Sequence, residues 1–326
     1  VEGEYPDIGN FWMTTNNPCD ANMMDNSAMY RALSNNGQKA VHPLTTPLMY
    51  DDPTTKELGV HEIESAIDFM EKQFGRKFDW DAFIRHCEAT NQVNREEMER
   101  WDIYCKTDNG CLNAICQGMY RIYFYQQGGT KYFAKSSAKT LKLMYECVEK
   151  NIKPFPNTRH RALAWSCGST YYCHGVGWLY NCWGILAVIN MDSLTGHNLI
   201  DTEDRETMME DLADWYSHTP MRTHTVGGNR HIMQMWETAE KFNCDTIIMY
   251  DDIGCKGMAG AQGLLEEEFA KHRDKFHIIW MPHSLMDCRI VPTNEARRAV
   301  NQYMTDVLHE EPVDPSLVDF DDTLGW

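Results

Sequence analysis

Two cysteines of this 326-residue chain fall in matching surroundings, and thiols so placed are suited to metal or iron–sulfur chemistry. Cys19 sits in Asn16-Asn17-Pro18-Cys19-Asp20, and Cys255 in Asp251-Asp252-Ile253-Gly254-Cys255-Lys256-Gly257. Each follows a short apolar run that reads as a buried strand, Phe11 to Thr15 before the first and Thr246 to Tyr250 before the second. Each precedes a stretch that reads as a helix. Both thiols are therefore expected at the carboxyl end of a parallel strand, the edge of an open α/β sheet where ligands bind. A thiolate at a helix N-terminus is favoured by the helix dipole and by the amides presented there. Gly254 and Gly257 let the backbone approach a bulky group closely. On spacing alone, a shared site between two domains competes with ordinary loop thiols.

Cys167 is a third candidate, because it follows the apolar run Ala162 to Trp165 and precedes Gly168. The segment Cys167 to Trp183, rich in Tyr, Trp, Gly and Cys, reads either as a pocket lining or as packing. Asn17, Asp20, Gly254 and Lys256 flank the two main cysteines; they are candidates to support a bound group, or else caps and solvated loop residues. His174, His224, His231 and His283 lack zinc spacing, and Cys105, Cys111 and Cys116 lack the tight pairs of a structural zinc site. There is neither a Walker A loop nor a complete Gly-x-Gly-x-x-Gly turn, so ATP hydrolysis is not expected of this chain.

Composition narrows the class. A 43% hydrophobic content supports a globular core, and the length points to two domains. The formal charge of −18 argues against nucleic acid or an anionic membrane as partner. No apolar run approaches a membrane span and no secretion signal is visible, so a cytoplasmic protein is expected. The opening Val1-Glu2-Gly3 enters a strand pattern quickly, as if the N-terminus were processed or missing. In such a chain, 12 cysteines point to metal or redox use rather than to disulfides, with Cys87, Cys147 and Cys244 expected to fill core.

The elements that must position these residues are those of an α/β protein. The expectation is two Rossmann-like (flavodoxin-like) parallel-sheet domains with an intervening helical block: residues 1–58 in the first α/β domain, 59–153 in the helical block, 154–310 in the second α/β domain and 311–326 as an acidic tail. Helices are expected over Trp80 to Thr90, Arg95 to Cys105, Glu203 to Tyr216, Arg230 to Phe242, Leu264 to His272 and Glu295 to Leu308. Strands are expected at Lys39 to Val41, Arg161 to Trp165, Ile185 to Asn190 and His277 to Met281. The tail from Pro312 reads as disordered or as docked on a partner.

The loop Asn16-Asn17-Pro18-Cys19-Asp20 resembles the middle cysteine motif of the 2-hydroxyacyl-CoA dehydratase family, which includes the benzoyl-CoA reductase subunits. The stretch from Cys244 to Lys256 resembles its last cysteine motif, and Leu285-Met286-Asp287-Cys288-Arg289 with the helix to Leu308 fits the order that follows. The layout is most similar to the alpha-type subunit. The resemblance implies a [4Fe-4S] cluster between two domains, held by three cysteines, of which Cys19 and Cys255 match two. The family's first ligand has no counterpart here: the chain is truncated, or Cys167 substitutes, or the member is catalytically altered.

The implied activity is that of an oxygen-sensitive lyase of anaerobic metabolism. It reduces a CoA thioester by one electron, at potentials near the floor of the iron–sulfur range, roughly −700 mV, and then expels water. The implied partners are a beta-type sister subunit with its own cluster and an ATP-dependent iron–sulfur activator; a flavin is a further candidate cofactor. The alternatives are a benzoyl-CoA reductase-type subunit, a non-catalytic cluster-carrying or scaffold subunit, and a zinc-stabilised two-domain binding protein.

Overall fold

The computed structural model describes residues 11–16, 20–35, 40–45, 52–112, 127–166, 175–191, 194, 198–217, 228–284, 287 and 289–320. The protein is mixed α/β with parallel sheets, and divides into two compact units. The first unit comprises residues 1–88 and 198–226, the second 89–197 and 227–326.

In the first unit, strands β1 (Phe11–Asn16) and β2 (Ala40–Thr45) pair in parallel, joined by helix α1 (Asp20–Asn35). Strand β2 is longer than expected and contains Pro43, opposite Thr14. Within the described two-stranded sheet β2 is an edge, where a missing N–H costs little. Helix α2 (Pro53–Phe74) starts on Asp52, whose carboxylate accepts the Thr54 N–H at 2.9 Å, and stops at Gly75 with φ of 64°. It packs on the sheet through Phe69, stacked on His42 at 4.9 Å. Helix α3 (Trp80–Lys106) opens in this unit, with Trp80, Phe83 and Ile84 against Ile200 and Met208. Helix α6 (Arg205–Ser217) crosses α2 where Gly59 meets Ala213.

Helix α3 is one helix, not the two expected. The polar run Asn91 to Asn94 reads as a break, but Asn91, Val93 and Asn94 are buried, and packing outweighs weak local propensity. In the second unit the rest of α3 carries a buried ion pair, Arg100 Nε to Glu97 at 2.9 Å, with Arg100 Nη1 donating to Ser137 Oγ at 3.1 Å. Ser137 belongs to helix α4 (Lys131–Glu149), capped by Thr130.

The second unit is built on four parallel strands in the order β4-β3-β5-β6: β3 (His160–Trp165), β4 (Ile185–Asn190), β5 (Thr246–Asp252) and β6 (His277–His283). The chain enters at β3, steps to β4, then returns past β3 to lay down β5 and β6. The winding direction thus reverses between β3 and β5. One face is covered by α3, α4, helix α7 (Gly228–Lys241) and helix α8 (Lys256–Ala270), through Tyr104, Met144, Met235 and Phe269 against Leu163, Ile247 and Met249. The other is covered by helix α5 (Gly175–Trp183) and helix α9 (Thr293–Gln302), through Leu179, Trp183 and Val300 against Ala162, Ala164, Ile248 and Ile279. Both faces being buried explains why the strands read as continuous apolar runs.

Two boundaries differ from expectation. Helix α8 begins directly after Cys255 rather than at Leu264, despite Gly257, Gly260 and Gly263, because Leu265 and Phe269 bury on the sheet. The tail docks on its own unit as far as Phe320. The Val313 N–H donates to the Cys182 carbonyl at 2.7 Å, Trp178 Nε1 to the Leu317 carbonyl at 2.8 Å, and Asn301 Nδ2 to the Val318 carbonyl at 3.0 Å. Trp178 and Trp183 are therefore packing residues, which settles part of the aromatic segment in favour of packing. Among the described residues no helix is long and apolar enough to cross a membrane.

Candidate functional site at the carboxyl edge of the second sheet

The switch in winding direction falls between β3 and β5, and the carboxyl edge beside such a switch is the ligand-binding place of open α/β sheets. Four segments of the second unit converge on this edge. Strand β3 delivers Trp165 and Ser166; the latter holds φ of 70° while buried, a conformation uncommon outside glycine. Helix α7 brings the buried His231, whose Nε2 accepts the Trp165 indole N–H at 2.7 Å. That bond makes Nε2 the unprotonated nitrogen of the imidazole. Strand β5 ends in Asp251 and Asp252 and turns into Cys255. Strand β6 ends in His283 and is followed by Ser284, both buried, with His283 in register with Asp252 and its ring edge-on to Tyr250 at 5.3 Å.

The Cys255 turn is held by its own backbone. The Ile253 N–H donates to the His283 carbonyl at 3.2 Å, the Gly254 N–H to the Asp252 carboxylate at 3.0 Å, and the Cys255 N–H to the Asp252 carbonyl at 2.9 Å. Cys255 is the N-cap of α8, in extended conformation, and its thiol makes no capping hydrogen bond. It is half-buried, and a Cβ built on Gly257 would lie 3.9 Å from its sulfur. Gly254 and Lys256 on either side are exposed. Burial pushes the Asp251 carboxyl up; the nearby His283 opposes this and the charge of Asp252 adds to it. Beyond β6, Arg289 donates to Asp287 and holds its carboxyl down at about 2.

Of the six other described thiols, Cys147 is half-buried like Cys255 rather than filling core as expected, and burial governs the remaining five. Burial pushes Cys87 and Cys111 up to about 11 and Cys182 to about 12, and it raises Cys105 and Cys244 as well. These are protonated thiols with core roles, as expected for Cys87 and Cys244. Cys19, Cys167 and Asn17 lie outside the described residues, as do the side chain of Asp20 and all of Cys116, His174 and His224. Among the described residues, no group of three or more His, Cys, Asp or Glu side chains is placed to hold a metal. Cys255 itself fits a thiolate ligand of a bulky inorganic group. It stands at a helix N-terminus with small neighbours, and its thiol is not spent on capping.

A parallel sheet covered by helices on both faces, with a thiol-bearing loop beside its switch point, defines an open-sheet α/β protein. The sequence model of the family described as "2-hydroxyglutaryl-CoA dehydratase, D-component" matches residues 8–282, and the chain belongs to this family. No curated protein matches it. The match takes in the Cys19 and Cys255 loops. The sequence did not point to Ser166, to the Trp165–His231 pair or to His283. A pair of carboxylates immediately before the Cys255 loop was the one local signal available.

Proposed function

We propose that this component of a 2-hydroxyacyl-CoA dehydratase carries an iron–sulfur cluster and that Cys255 is one of its thiolate ligands. The observation that carries this reading is the place of Cys255. It is a half-buried thiol at a strand's carboxyl end, next to the switch point and at the start of a helix, whereas Cys87, Cys111, Cys182 and Cys244 are buried. Cys19 and Cys167 are the further ligands proposed from the sequence. When bound, such a cluster supplies single electrons at very low potential and an open iron that acts as a Lewis acid toward a thioester carbonyl.

The chain's own residues hold and tune the site. The dipole of α8 favours the anionic sulfur at its N-terminus. The Trp165 indole fixes the His231 imidazole in one tautomer on the same edge. Burial raises the Asp251 carboxyl on this edge, the charge of Asp252 adds to the rise and His283 opposes it. The word "component" in the family's description fits a multi-subunit enzyme, so a sister subunit, an ATP-dependent activator and a CoA thioester substrate belong to the proposal, as does an oxygen-sensitive reaction.

The test is iron and acid-labile sulfide on protein purified without oxygen. About four of each per chain are expected. The Cys255→Ala variant should lose them while Cys182→Ala keeps them. Near-zero iron in the unaltered chain, or full iron in Cys255→Ala, would sink the reading.

A further inference from the structure

We infer that Asp252 is the positioning residue of the Cys255 loop: one residue shapes the turn that presents the thiol and places a carboxylate beside whatever that thiol binds. Asp252 closes β5 and is only 5% exposed. Its side chain accepts the Gly254 N–H at 3.0 Å and its carbonyl accepts the Cys255 N–H at 2.9 Å, so two of the three amides after it are tied back to it. The third, on Ile253, is tied to the His283 carbonyl at 3.2 Å, and His283 is the ladder partner of Asp252. All three bonds reverse the chain within three residues, at the point where β5 must stop and α8 must start.

The carboxylate is specifically placed. A Cβ built on Gly254 would lie 3.4 Å from Asp252 Oδ1, so the acceptor sits against the turn itself rather than out in solvent. Without that acceptor the Gly254 amide loses its partner, and the thiol loses the backbone that fixes its direction. A second consequence rests on the cluster reading. A carboxylate hydrogen-bonded to the amide of the residue before a cluster ligand adds negative charge to the loop, which lowers the reduction potential of the bound group.

Asp252→Ala and Asp252→Asn separate shape from charge, because asparagine keeps an oxygen acceptor and loses the charge. In the full chain, Asp252→Ala should speed amide hydrogen exchange across Asp251–Gly257 by about tenfold, and change the rate at which Cys255 is alkylated. Asp252→Asn should restore both toward the unaltered values, with exchange in β3 and β4 unchanged in either variant. In protein loaded with iron and sulfide, Asp252→Asn should also raise the midpoint potential. Unchanged exchange and alkylation in Asp252→Ala would overturn the inference, as would equal loosening of the whole sheet. If the unaltered chain holds no iron, the cluster reading falls and takes the potential effect with it; exchange and alkylation then still decide whether Asp252 shapes the loop.

Discussion

His160 holds Glu310 across 150 residues of chain: its Nε2 lies 2.8 Å from Oε1 of Glu310, while its Nδ1 lies 2.9 Å from Oδ2 of Asp245. The imidazole thus clasps the start of β5 and the C-terminal strap beneath the amino end of the sheet. Arg159 lies 3.6 Å from Glu310 and the His277 ring packs edge-on to the imidazole at 5.5 Å, with Arg161 next in the chain. The hydrogen bond His160 donates to the Asp245 carboxylate raises its pKa, burial opposes the rise, and Glu310 adds to it. Only the imidazolium can donate to both carboxylates, since a neutral ring has one N–H. The folded value is raised, so this stabilisation is complete below the ordinary histidine value of about 6.5 and disappears as pH climbs through the folded one. Glu310→Ala should therefore cost about 1.5–3 kcal/mol near pH 6 and distinctly less near pH 9. Urea unfolding of both proteins across that range measures the difference; a constant difference would show that His160 does not titrate in the clasp.

At the same end of the sheet, Arg161 closes the ends of two helices onto β3. Its guanidinium donates to the carbonyls of Tyr104 at 2.6 Å, Phe242 at 3.0 Å and Asn243 at 3.2 Å, and to the Asp108 carboxylate. Helix C-terminal carbonyls are otherwise unsatisfied, and a cation there also meets the negative end of the dipole. Arg161→Ala should cost roughly 2–4 kcal/mol, since buried carbonyls and Asp108 lose their donor. Arg161→Lys should recover only part of this, because one ammonium cannot span four acceptors on separate segments. Guanidinium unfolding followed by far-ultraviolet circular dichroism gives both values.

In the first unit Gly59 of α2 lies close against α6. A Cβ there would lie 3.0 Å from the Ala213 Cβ of α6, tighter than ordinary contact. The same pair of helices carries the Lys56–Glu210 ion pair at 2.7 Å, whose exposure makes it worth little. Gly59→Val should destabilise by about 1–3 kcal/mol through overpacking and poorer helix propensity than alanine. Gly59→Ala should cost less, because the gain in helix propensity offsets part of the crowding. Thermal melts of the three proteins would rank them; a valine variant as stable as the parent would mean that α2 and α6 do not touch at Gly59.

Local patterns made β5 and the turn after it legible. Thr246 to Tyr250 is an apolar run closed by Asp251, Asp252 and Gly254, and strand and turn each leave a mark there. The Cys87 and Cys244 core roles followed from residue type alone. What escaped is what depends on partners far along the chain. The break expected in α3 near Asn91 is overridden by burial. Glycines 257, 260 and 263 hid the first half of α8, whose stability comes from Leu265 and Phe269 on the sheet. The positive φ of Ser166 is set by its surroundings, and serine type carries no sign of it. His160, Asp245 and Glu310 lie 85 and 150 residues apart, and no periodicity links them.

The contrast among thiols yields a prediction that needs neither cluster nor partner. Alkylation requires a thiolate and access to solvent. Cys87, Cys111, Cys182 and Cys244 are buried, and burial raises each of them, the first two to about 11 and Cys182 to about 12. They can react only when the protein opens, at rates set by local or global unfolding. Cys255 is half-buried at a helix N-terminus and needs no opening. With iron-free native protein and a small haloacetamide near pH 8, peptide mapping should find Cys255 modified at least about a hundred times faster than Cys182 or Cys244. Mild urea should then accelerate the buried pair and leave Cys255 nearly unchanged. Equal rates for Cys255 and Cys244 in the native protein would mean that the loop after β5 does not present its thiol, and both the ligand role of Cys255 and the shaping role of Asp252 would fall.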